Sequence, residues 1–290
     1  MRNKVVMAMQ GFSRVLFLAL ALALAAAVAS VSGCMHVRIS AKDLLAPDQP
    51  PAAARLAAGF VIEESLLQRG ERVVGITRAH RDGNRAVIVF CGGDGFHRSS
   101  EGGSVLQALA HGADVVLFDY PGFGASSGSA DADSILDNAR AAEEYVSRLP
   151  SSSGQKRVLY GFSLGGVVAA QLAGERPVDG LVLEATAPDI ARWARTQVPW
   201  FAKPFVRVDL DPALARIDNV RALAKFRGKV LVLAGTNDAK APPALSRDMT
   251  QRLKAEGVRA ELRVVPSAGH GEIYKSPGFR ADLERFLAGL

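Results

Sequence analysis

From about residue 85 onward, short apolar runs alternate with longer stretches whose apolar residues recur every three or four positions. Residues 85–90 (RAVIVF), 114–119 (DVVLFD), 158–160 (VLY), 180–184 (GLVLE) and 229–234 (KVLVLA) are near-continuous and rich in β-branched side chains. That pattern predicts strands buried on both faces of a parallel sheet, and residues 259–265 read as one more. Residues 104–110 predict a short helix. Residues 131–148 predict an amphipathic one, with Ile135, Ala139, Ala142 and Tyr145 on one face. The alternation implies an α/β fold with a doubly wound, mostly parallel sheet and flanking helices. Upstream, residues 60–67 read as helical or irregular, and residues 71–76 (ERVVGI) as an edge strand. The long excursion is 186–228, with Trp193, Trp200, Phe201 and Phe205; it reads as a small cap, a membrane-touching patch or plain core.

One junction carries chemistry. In RVLYGFSLGGVVA (157–169) a strand stops at Gly161-Phe162-Ser163-Leu164-Gly165 and a small-residue helix follows. A serine between glycines at a sharp strand-to-helix turn is exposed as a nucleophile, and the helix start directs backbone amides towards a developing oxyanion. Such a serine needs a base and a group to orient it. Of five histidines only His270 follows the turn, in the glycine-flanked SAGHG; Asp238, just past KVLVLA, is the expected acid, with Asp209, Asp211 and Glu184 as rivals. The amide of Leu164 is one expected oxyanion donor and that of Gly93, in the glycine-rich turn after RAVIVF, the other.

The amino-terminal segment changes the picture again. Residues 15–31 (VLFLALALALAAAVASV) hold no charge and follow Arg2, Lys4 and Arg14, as in a secretory leader or an anchor. Val31-Ser32-Gly33-Cys34 resembles the bacterial lipobox, which implies a diacylglyceryl group on Cys34 after cleavage. The expected organisation is a leader over 1–33, a Pro- and Ala-rich tether over 34–58 and one catalytic domain over 59–290, with 186–228 as a possible cap. Loss of the leader's three cations lowers the formal charge of +6 to +3, and no basic run interleaved with aromatics suggests nucleic acid as a partner. Two cysteines, Cys34 and Cys91, make no disulfide framework.

From about residue 71 the chain resembles serine hydrolases of the α/β-hydrolase superfamily, in their compact short-cap branch. FCGGDGFHRSS, FDYPGFGASSG, GFSLGG and the pair GTND and SAGHGE carry the resemblance, in that order. Those relatives commonly have His-Gly where this chain has Cys91-Gly92. The resemblance implies hydrolysis of an ester or related acyl substrate, small-molecule or lipid, by Ser163, Asp238 and His270 without metal or cofactor; the lipobox-like segment separately implies a tether to the bacterial envelope through Cys34. An acyltransferase with the same three residues, or a non-catalytic envelope lipoprotein using the fold for binding, remain the other readings.

Overall fold

The computed structural model describes residues 35–45 and 59–290. The leader, Cys34 and the rest of the expected tether, 46–58, lie outside the described residues. The body is an eight-stranded sheet. Its strands are β2 (Val61–Arg69), β3 (Arg72–His80), β4 (Ala86–Cys91), β5 (Ala113–Phe118), β6 (Lys156–Phe162), β7 (Gly180–Glu184), β9 (Lys229–Gly235) and β10 (Arg259–Val265). They lie in the order β10-β9-β7-β6-β4-β5-β3-β2. Pairing is parallel from β10 to β5 and antiparallel for β5–β3 and β3–β2. The helices are α1 (Gly102–Leu109), α2 (Ala132–Arg148), α3 (Leu164–Glu175), α4 (Ile190–Gln197), α5 (Pro212–Ala215), α6 (Asn219–Leu223), α7 (Pro243–Ala255) and α8 (Phe279–Ala288).

Strand periodicity divides the core into two layers. Along β4, Val87, Val89 and Cys91 face the layer containing α2, α3 and α7, whereas Ala86, Ile88 and Phe90 face that containing α1 and α8. With apolar cover on both faces, β4, β5 and β7 are buried throughout. Helix α2 starts where its sequence can cap it. The Asp131 carboxylate accepts from Ser134 N at 2.7 Å, and Ser134 Oγ accepts from Asp131 N at 2.9 Å.

Three upstream expectations need correction. Residues 61–69 form a strand rather than a helix, because Gly70, at φ +61°, reverses the chain into a hairpin with β3. The expected edge strand at 71–76 runs on to His80 and lies second from the edge, covered by β2. The expected Pro- and Ala-rich tether, without clear periodicity, includes β1 (Met35–Ile39), which pairs in parallel with β8 (Val206–Leu210) as a separate two-stranded ribbon. The excursion at 186–228 is broken into α4, β8, α5 and α6.

Candidate active site

At the carboxyl end of β6 the chain turns into α3 within one residue. Ser163 takes φ +54° and ψ −116°, a conformation costing about 1–3 kcal/mol in a non-glycine residue. Its amide donates to Glu184 O at 2.9 Å, and Ser163 O accepts from Gly166 N at 3.0 Å. The turn is too tight for side chains at its flanks. A Cβ on Gly161 would lie 2.4 Å from Gly165 O, and one on Gly165 would lie 2.0 Å from Cys91 O.

The expected base and acid meet the serine here. His270 Nε2 lies 3.0 Å from Ser163 Oγ, and His270 Nδ1 lies 2.8 Å from Asp238 Oδ2. The Asp238 side chain is inaccessible to solvent, and its other oxygen accepts from Lys240 N at 2.9 Å and Ala241 N at 2.8 Å. Amide donors hold it as an acceptor facing the imidazole. The loops bearing the two residues are laced together: Asn237 N donates to Ala268 O at 2.9 Å and Ser267 N to Thr236 Oγ1 at 2.8 Å. The rival acids are engaged elsewhere. Asp209 contacts His36, Asp211 caps α5 by accepting from Ala213 N, and Glu184 binds Tyr160.

A family model described as the alpha/beta hydrolase fold matches residues 86–221. An uncharacterized Mycobacterium tuberculosis protein, Rv2307c, is 31% identical over 226 residues, which cover 77% of this chain and 76% of that protein. The chain belongs to the α/β-hydrolase family. The Alpha/beta hydrolase domain-containing protein WAV2 of Arabidopsis thaliana is 28% identical over 174 residues, 57% of this chain and 56% of that protein. In fold, this hydrolase resembles the Pyrococcus furiosus esterase Pf2001, with a TM-score of 0.66 at 17% identity over 83% of this chain and 97% of the esterase.

In this α/β-hydrolase the two expected oxyanion donors flank the serine. Leu164 opens α3, so its amide is one of those a helix leaves without an intrahelical acceptor. Gly93 backs onto the Ser163 turn: a Cβ there would lie 3.6 Å from Ser163 Cβ and 3.0 Å from the Phe162 ring. Cys91, where relatives commonly have histidine, is a buried free thiol, and burial pushes its pKa well above the ordinary value. Tyr120 was not singled out by sequence reasoning. Its buried hydroxyl donates to Gly92 O at 2.7 Å. Its position in FDYPGFG was the available signal.

A cleft of about 290 Å³ opens beside His270 and Ser163's neighbours, walled by Phe90, Phe96, Val105, Tyr160 and Phe162, with Lys240 and Lys275 also lining it. Glu184 reaches this cleft from the end of β7. Burial pushes its carboxyl up to about 7; the charge of Asp238 adds to the rise and the hydrogen bond from Tyr160 opposes it. Among the described residues its Oε1 has no hydrogen-bond partner.

Proposed function

We propose that the protein is a serine hydrolase that cleaves an ester or related acyl substrate through an acyl-enzyme on Ser163. The observation that carries the reading is the single line of contacts from Ser163 Oγ through His270 to a buried Asp238. His270 Nε2 accepts the serine proton as Oγ attacks the acyl carbon. Asp238 holds Nδ1–H, fixing the tautomer that leaves Nε2 free to accept, and stabilises the imidazolium that forms. The oxyanion is received by the amides of Leu164 and Gly93. Collapse expels the leaving group, which takes the proton from Nε2; water then repeats the sequence and frees the acid.

The apolar wall of the cleft suits an acyl chain, and family membership supports hydrolytic chemistry. The leader and the lipobox-like Val31-Ser32-Gly33-Cys34 support anchoring to a bacterial membrane through a lipid on Cys34. A fluorophosphonate probe tests the mechanism. Wild-type protein is expected to label and Ser163→Ala not to; folded wild type that fails to label would overturn the proposal. Metabolic incorporation of labelled palmitate, abolished in Cys34→Ala, tests the anchor.

A further inference from the structure

The loop between α4 and β8 inverts the usual placement of apolar residues. Trp200 is 81% exposed, Phe201 50% and Phe205 49%, whereas the small Ala202 between them is fully buried. The loop is held in this arrangement. Ala202 N and Lys203 N both donate to Pro199 O, and Phe205 N donates to Ala202 O at 2.9 Å. The Trp200 and Phe201 rings pack edge to face, with centroids 5.9 Å apart. Three exposed aromatic rings on a pinned turn, two of them in contact, mark a surface that something covers.

What covers it follows from the chain's own connectivity. Val206, the residue after Phe205, pairs in parallel with Met35, the residue after Cys34. Three residues, Ser32, Gly33 and Cys34, join the apolar run ending at Val31 to Met35, and the four steps from Val31 to Met35 reach at most about 14 Å. Whether the membrane holds that run itself or a lipid on Cys34, the attachment lies within that reach of Met35, whose strand partner Val206 directly follows the aromatic loop. Charge agrees. A groove of about 580 Å³ beside the loop is lined by Arg195, Lys203 and Arg207. Its one acid is Asp209, already within 2.6 Å of His36 and 3.4 Å of Arg207.

We infer that the 199–205 loop and the adjoining start of the β1–β8 ribbon form a docking face for an anionic phospholipid bilayer. Trp200, an apolar ring with a polar N–H edge, enters the headgroup boundary with the Phe201 and Phe205 rings reaching the acyl side, and the three cations meet lipid phosphates. This inference rests on the membrane anchoring proposed above and not on the chemistry of Ser163. Trp193, earlier on α4, donates its indole N–H to Lys240 O, so the same helix links the docking face to the cleft rim.

Full-length protein reconstituted into phosphatidylcholine–phosphatidylglycerol vesicles provides the test. Flotation reports the anchor, and quenching of tryptophan emission by lipids brominated just below the headgroup reports the face. Quenching that is largely lost in Trp200→Phe, and weaker in vesicles of phosphatidylcholine alone, is the expected result. Protein that floats but whose quenching is unchanged by Trp200→Phe, or that buries Trp200 in a concentration-dependent dimer instead, overturns the face and leaves the anchor standing. Protein that does not float overturns both. Fluorophosphonate labelling of the same vesicles separates either outcome from a failure of the Ser163 mechanism.

Discussion

The hydroxyl of Tyr120 grips the carbonyl of the same peptide that carries Gly93 N–H. Because a trans peptide is planar, its N–H and C=O point in opposite directions, so fixing one end aims the other. Tyr120→Phe removes one hydrogen bond and leaves the packing intact. It is expected to lower kcat about tenfold with little change in KM, since the donor matters most when the oxyanion exists. Steady-state kinetics check this, and a raised KM at constant kcat would refute it. Glu184 gives a pH dependence. Its carboxyl ionises near 4.5 when unfolded and at about 7 when folded, so the folded state holds the proton more tightly. The stability it contributes is complete below about pH 4.5 and is lost as pH rises through 7, by roughly 3 kcal/mol. Glu184→Gln should flatten that slope, gaining on wild type between pH 5 and pH 8 in urea denaturation.

Strands β9 and β10 set Asp238 and His270 through their joined carboxyl-end loops. At the join a Cβ on Gly235 would lie 2.2 Å from Ala268 O. Gly235→Ala should therefore push the His270 loop from the Asp238 loop, costing about 1–3 kcal/mol in stability and lowering fluorophosphonate labelling rates; wild-type labelling would show that the loops yield without cost. The strands buried on both faces were legible because runs such as RAVIVF and GLVLE are unbroken, short and β-branched or bounded by turn residues, which favours a covered strand over a helix. Strand β2 was not, since Val61, Ile62 and Leu66 remain exposed and the burial that defines a pattern is largely missing. Strand β1 was illegible for another reason: its partner lies far along the chain, and no local pattern announces it.

Across the whole molecule, the meeting of Ser163, Asp238 and His270 at the candidate site was readable because each follows a recognisable strand, and a parallel sheet brings such strand ends to one edge. Glycines at the serine turn and around His270 marked the sharp bends. The excursion at 186–228 resisted reading because its pieces are short and its aromatics are divided: Trp193 is half-buried and bonded to Lys240, while Trp200, Phe201 and Phe205 face outward, so the plain-core reading fails for those three. The ribbon of β1 and β8 has a consequence in time. His36 and Asp209, which meet across it, are 173 residues apart, so the first strand to leave the ribosome waits for most of the chain before it finds its place. Until residues 206–210 have been made, the strand edge of β1 has no backbone partner, so a chain ending before Val206 is expected to leave that edge bare.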